Sequence, residues 1–319
     1  MRYLLGLALG LLVMPHVLMA QDHPHYTMFM YNKLIYNPAY AGNKNMMSVN
    51  AAYRNQWTGI DGAPRNYNVA IDAPIGSYMK PFRPVALGLS FNNESVGVTD
   101  NTNIMAYYAY RIRLAKTILS FGIQAGASLY SANFTELSAG QQGDAALMNN
   151  INNAFLPNIG AGIFWSGERF YTGASVPNLI ENYYDKESNA LTNRHARQMR
   201  SYYLTGGYIF PVTDNFKIQP QVMARYAGND KYQQPLNADF NLSFIFFNRL
   251  LLGATYRTDN TIDGIVHLQV TQRINIGYAY GYATSQLERF NNGTHEIVLG
   301  FDFVRDLNKY VNPRFVKPF

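Results

Sequence analysis

Cysteine is absent from all 319 residues. That removes disulfides, thiolate metal sites, a cysteine nucleophile and a lipidated cysteine anchor from consideration. Charge is also scarce, at 14% of residues, against about a quarter in ordinary soluble domains. The formal net charge of +6 is spread over scattered Lys and Arg, so no basic footprint for nucleic acid is expected. Beyond the first twenty residues there is no run of 18 apolar residues, which excludes a transmembrane helix in the remainder of the chain. Catalytic signatures are missing too: no G-x-S-x-G elbow, no H-E-x-x-H and no phosphate-cradling glycine loop occurs. Of the six histidines, only His23 and His25 sit close together, in a Pro-interrupted stretch, where a fortuitous pair is the better reading than a metal site. Asp61 and Asp72 flank one hairpin without a spacing that places them in one cleft. Asp61, before Gly62, suits turn chemistry, and Asp72 an inward or rim polar contact. No enzyme, metal or cofactor is therefore expected.

What the chain does have is aromatic side chains, 25 Tyr and 19 Phe, at a mean hydropathy of −0.18. Abundant Tyr, Gly and Asn with little charge fit strands that carry one apolar and one polar face, as in a transmembrane β-barrel. The N-terminus reads as an export signal over residues 1–20. Arg2 gives the positive region, Leu4–Val13 the apolar region, and Ala20 the small residue before Gln21. An irregular, aromatic-rich lead-in spans 21–45, broken by Pro24, Pro38 and Gly42. It is expected to pack on or inside the barrel.

Fourteen strands are then predicted: Met47–Gln56, Asn66–Pro74, Pro84–Ser95, Thr102–Arg113, Lys116–Ser131, Pro157–Trp165, Arg169–Val176, Arg200–Val212, Asn215–Ala227, Pro235–Phe247, Leu250–Arg257, Thr261–Val270, Arg273–Thr284 and Thr294–Val304. In the fifth, Leu119, Phe121, Ile123 and Leu129 oppose Ser120, Gly122, Gln124 and Ser128, the period-2 alternation of a barrel wall. An even count suits an outer-membrane barrel. So do the connections, short on one side (Leu114-Ala115, Thr213-Asp214, Asn248-Arg249) and mostly long on the other (Ala132–Leu156, Pro177–Met199). Ile75–Arg83 and Thr258–Asn260 break that rule. The barrel is assigned to 46–305 and a short tail to 306–319. A soluble β-sandwich is the competing architecture, but the face opposite the apolar one is Gly, Ala, Ser and Asn rather than charge. Full closure leaves no unpaired edge in lipid.

Two local features could carry function. Arg194, His195, Arg197 and Arg200 cluster at the end of a long connection, where lipopolysaccharide phosphate is a possible ligand on charge grounds. The second feature is Tyr31–Arg65, which reads YNKLIYNPAYAG, a strand, then YRNQWTGIDGAPR. These residues resemble the PorP/SprF family, outer-membrane proteins of the type IX secretion system of Bacteroidetes. The resemblance rests on Asn32, Asn37, Pro38, Ala39, Tyr40, Ala41, Gly42, Tyr53, Arg54, Asn55, Gln56, Trp57, Gly59, Gly62, Ala63 and Pro64. It implies a non-enzymatic role in secreting or anchoring a large adhesin with a type B C-terminal sorting domain, with links to the periplasmic ring, other secretion components and gliding. On this basis Tyr53, Arg54, Trp57, Asp61, Pro64 and Arg65 are the expected partner-binding residues. Asn37, Pro38, Tyr40, Gly42, Gly59 and Gly62 are the expected structural motif. A diffusion porin without a protein partner is the alternative.

Overall fold

The computed structural model describes residues 25–76, 82–136, 150–184, 196–228, 235–284 and 289–303. Its wall is one closed antiparallel sheet of fourteen strands. In chain order they are β1 (Ser48–Asn55), β2 (Arg65–Ile75), β3 (Val85–Val96), β4 (Thr99–Leu114), β5 (Thr117–Ala132), β6 (Ile151–Ser166), β7 (Phe170–Asn178), β8, β9 (Phe216–Ala227), β10 (Asn237–Phe246), β11 (Leu250–Arg257), β12 (Thr261–Gln269), β13 (Ile274–Ala283) and β14 (Thr294–Asp302). Strand β8 comprises Ser201–Tyr208 and Phe210–Thr213, interrupted at Ile209. Each strand pairs with its sequence neighbour, and β14 pairs with β1 through Ser48↔Asp302 to Asn55↔His295, which closes the barrel. Closure matters because every backbone polar group in a lipid-facing wall must be paired within the protein.

Side chains alternate as the pattern requires. Leu87, Leu89 and Phe91 of β3 point outward while Ala86, Ser90 and Asn92 point in. In β13, Ile274, Ile276, Tyr278, Tyr280 and Tyr282 face out, opposite inward Asn275, Ala279 and Ala283. The outer face is apolar and the inner one largely polar, the reverse of a soluble sandwich. No helix among the described residues is long and apolar enough to cross a membrane.

Three boundaries differ from the sequence expectation. Strand β6 starts at Ile151, six residues before Pro157, and Ile151 pairs with Ala132. Its Asn-rich start reads as loop in sequence but continues the ladder once β5 supplies the partner. Strands β3 and β4 run on to Val96 and from Thr99, so only Gly97-Val98 joins them, a tight turn on the long-loop side where Gly97 takes φ +59°. The connection after β7 contains a short ribbon in which Asn182–Tyr184 pairs with Ala196–Gln198. The export signal, His23, Arg194, His195 and the tail 306–319 lie outside the described residues.

The lead-in packs inside the barrel and fills the lumen. From His25, beside Asp239 near the long-loop end of β10, it passes through a short helix, α1 (Lys33–Tyr36), and a 3-10 turn (Pro38–Tyr40). It then reaches Lys44, beside Asp302 at the short-turn end of β14. Two apolar clusters form against the wall. Tyr26, Met28, Phe29 and Tyr31 join Met223, Ile245, Leu251, Ile265 and Val298. Leu34, Ala39, Tyr40 and Ala41 join Ala70, Ala86, Met105, Tyr107, Ala109 and Phe164. A fourteen-stranded wall is wider than the eight-stranded size that its own side chains can fill, so a segment of this bulk is what completes the interior.

Candidate functional site

The Asn-Pro-Ala-Tyr turn explains the small residues of the wall. Asn37 caps the turn by accepting the Ala39 N–H at 3.0 Å. Its Nδ2 donates to the carbonyl of Ile163 on β6 at 3.0 Å. Pro38 at the first helical position needs no N–H partner and fixes φ for the turn. The backbone here lies so close to the wall that side chains are excluded. A Cβ on Gly122 would sit 2.1 Å from Ala39 N, and one on Gly162 would sit 2.3 Å from Asn37 Oδ1. Tyr40 packs edge-on to Phe164, with centroids 5.4 Å apart. Gly42, at φ +70°, donates its N–H to Asp72 at 2.8 Å, and Asp72 also accepts the Ser48 hydroxyl at 2.9 Å. Asp72 is thus an inward contact. Gly122→Val is expected to cost about 1–3 kcal/mol through overpacking, seen as a lower unfolding temperature in heat-modifiability gels and as protease cleavage within residues 25–46.

Near the long-loop end the luminal segment enters a collar of charge. Arg54 Nη1 donates to Thr27 Oγ1 at 2.6 Å and meets Glu296 Oε2 at 3.2 Å. Glu296 in turn accepts the N–H groups of Thr27 and Met28 at 2.6 and 2.9 Å. His25 Nε2 donates to Asp239 Oδ2 at 2.5 Å, while Arg257 donates to His25 Nδ1. Arg257 also lies 3.3 Å from Asp259. Because Nδ1 accepts from a guanidinium, the ring is neutral. Burial first, then Arg257, hold its pKa down at about 4, below the usual 6.5.

That shift has a signed consequence. Between pH 6.5 and pH 4 a released His25 binds a proton that the seated ring does not, so stability falls as pH drops through this window. The full loss is roughly 3 kcal/mol at 1.36 kcal/mol per pKa unit. Thermal unfolding of the wild type is expected to lose more on going from pH 7.5 to pH 4.5 than that of His25→Gln.

Above the collar, the β1–β2 hairpin forms a fastened rim. Gln56 N–H donates to Pro64 O, Thr58 N–H to Gly293 O, Asn292 N–H to Thr58 O, and Gly97 N–H to Gly62 O, all at 2.7–2.9 Å. Trp57 takes φ +50° with Gly59 at +101° and Gly62 at +72°, conformations in which glycine avoids the Cβ penalty. Trp57 is half-buried and Asp61 exposed at the tip, while Pro64 and Arg65 lead into β2.

The six residues expected to bind a partner therefore divide into three locations. Trp57, Asp61 and Pro64 share the hairpin, and Arg65 stands outward at the head of β2. Tyr53 faces outward on the wall, its ring 4.9 Å from that of Tyr67. Arg54 is 1% exposed and points into the lumen, away from the other five, because consecutive strand residues cannot share a face. The luminal acids and bases Glu296, Asp239, Arg257 and Asp263 were not singled out from sequence. Their signal was available, since each is a charge on the face opposite the bulky apolar residues of its strand. Among the described members of the basic cluster, Arg200 Nε donates to Leu179 O at 3.2 Å. No group of three or more potential metal ligands occurs among the described residues.

Comparisons with known proteins give matches among solved structures and to a family model. In the solved structures, the Acinetobacter baumannii outer membrane protein Omp33 is 7% identical over 81% of this chain and 98% of that one, with a TM-score of 0.46. The Ralstonia pickettii toluene transporter TbuX is 10% identical over 84% of this chain and 92% of that one, with a TM-score of 0.48. No curated protein matches the chain in sequence. The family model for the type IX secretion system membrane protein PorP/SprF, however, matches residues 18–301. The chain belongs to the PorP/SprF family, the outer-membrane β-barrel components of type IX secretion.

Proposed function

We propose that this barrel is a non-enzymatic anchor. It secretes or retains at the cell surface a large adhesin bearing a type B C-terminal sorting domain, working with other type IX components and the periplasmic ring, and in this way serves gliding. It is exported through a signal peptide cleaved near residue 20. The observation that carries the reading is the occupied lumen: residues 25–46 thread the barrel from the collar to the short-turn end and are almost wholly buried. A solute channel would have little use for such a segment, whereas a protein-docking platform gains rigidity from it.

On this reading the rim hairpin is the contact site. The exposed Asp61 and the half-buried Trp57 and Pro64 lie on backbone that is tied to both neighbouring turns, so docking would order little further chain. Aromatic anchors of this kind are frequent among interface hot spots. Trp57→Ala combined with Asp61→Lys is expected to leave the barrel heat-modifiable while lowering surface-retained adhesin by roughly tenfold or more, measured by whole-cell immunolabelling against the secreted fraction. Adhesin still retained normally after removal of the entire barrel would refute the function itself. Normal retention by the double variant alone would refute only the hairpin as the contact. A stable open conductance from the purified wild-type protein would favour the porin alternative.

A further inference from the structure

The outer wall beneath the rim hairpin carries polar side chains that make few hydrogen bonds among the described residues. Three of them stand side by side. Asn55 is the last residue of β1, and the register pairs it with Arg65, the first residue of β2, and with His295, the second residue of β14. All three belong to the outward-facing set of their strands. Arg65 is exposed; Asn55 and His295 are half-exposed. Adjacent strands lie about 4.8 Å apart, so Arg65 and His295 are roughly 10 Å apart at the backbone, with Asn55 between them.

Their internal hydrogen bonding is sparse in a specific way. His295 Nδ1 is engaged by the Tyr278 hydroxyl at 2.7 Å, which leaves Nε2 directed elsewhere. Neither Arg65 nor Asn55 forms a side-chain hydrogen bond or ion pair among the described residues. The nearest acid in this register, Asp100, lies two strands from Arg65 and is engaged by the Ser95 hydroxyl. Asp61, the other exposed acid on this side, lies in the hairpin above.

Below the trio the surface changes at once. One outward step down stand Ile297, Tyr53 and Tyr67; the next holds Leu299, Ala51 and Val69. Ile297, Tyr67, Leu299 and Val69 are all exposed. Tyrosines over aliphatic side chains mark the lipid interface of a barrel. The guanidinium, the amide and the imidazole's Nε2 are therefore held at headgroup depth, on the lipid side of the wall and on its long-loop end.

We infer that Arg65, Asn55 and His295 form a binding site for the phosphorylated sugar headgroup of an outer-leaflet glycolipid. A guanidinium binds a phosphate through two parallel charge-assisted hydrogen bonds. Asn55 donates to the same phosphate or to a sugar hydroxyl, and His295 Nε2 supplies the donor on the far side. The acyl chains then lie along Ile297, Leu299, Tyr67 and Val69. The inference rests on outer-membrane placement and not on the adhesin reading, so either can fail without the other.

The test uses the intact barrel in mixed micelles containing bisphosphorylated lipid A, with bound lipid counted by native mass spectrometry. Wild type is expected to retain one lipid A, with affinity for dephosphorylated lipid A weaker by about tenfold or more. Arg65→Ala with His295→Ala is expected to lose the bound lipid while unchanged heat-modifiability certifies the fold. Arg65→Lys should recover part of the binding, because the charge returns without the planar fork. Equal retention by wild type and the double variant would overturn the site. So would equal retention of dephosphorylated lipid, and displacement by inorganic phosphate alone would reassign it as a simple anion site.

Discussion

Deletion of residues 25–46, joining residue 24 to Met47, is expected to turn the protein into an open pore. The wall does not depend on this segment for its backbone hydrogen bonds, because every strand already has two sheet neighbours. Interiors of barrels at the eight-stranded size fill with their own side chains, while sixteen strands leave an aqueous channel. With fourteen strands and an inner face of Gly, Ala, Ser and Asn, this wall falls near the second case. The collar residues Glu296, Asp239 and Arg257 would pass from a dry interface into lumen water. Ionised side chains are stable there, so the barrel should survive. Planar-bilayer recordings are expected to show conductance at least roughly tenfold above wild type, with the deleted protein still heat-modifiable. An unaltered conductance would mean that the luminal segment is not what closes the barrel.

That outcome bears on how much was legible in the sequence. The wall was readable because the side-chain period of a strand is 2 and lipid imposes it on one face at a time. Residues such as Leu119, Phe121 and Ile123 against Ser120, Gly122 and Gln124 admit few other readings. The reason for particular glycines was not readable. Gly122 and Gly162 look like generic lining, and only the close approach of Asn37 and Ala39 shows that they are a seat. That contact joins positions more than eighty residues apart, beyond what local pattern can report. Strand ends failed where composition misleads: Asn152 and Asn153 resemble loop, yet β6 runs through them. The dispersal of the expected partner-binding group has a different cause. Tyr53 and Arg54 were grouped because they adjoin in a motif, although the alternation of β1, with Ser48, Asn50 and Ala52 inward, already sends Arg54 into the lumen. A motif records what a family keeps, and here it contains a luminal clasp and an outward tyrosine side by side.

The clasp carries the second large effect. Arg54→Ala is expected to destabilise the seated luminal segment by about 3–5 kcal/mol, because breaking a buried ion pair leaves the remaining charge uncompensated. Arg54 and Glu296 are each 1% exposed, so water cannot readily replace the missing partner. Glu296 would keep the N–H groups of Thr27 and Met28 but lose its only cation within 4 Å among the described residues. Thr27 would lose its guanidinium donor as well. If the pair is a clasp, the loss must be non-additive. Glu296→Gln alone should also cost several kcal/mol, by stranding Arg54. Arg54→Ala with Glu296→Gln should cost less than the sum of the two single changes, since no charge is left behind. Coupling of roughly 1–3 kcal/mol in the double-mutant cycle is the expected signature, read from thermal unfolding and from proteolysis of residues 25–46. Strict additivity would mean that the two side chains act independently. In that case the segment is held chiefly by the Asn37 seat and the Lys44–Asp302 contact at the opposite end, where the two charges lie 3.4 Å apart.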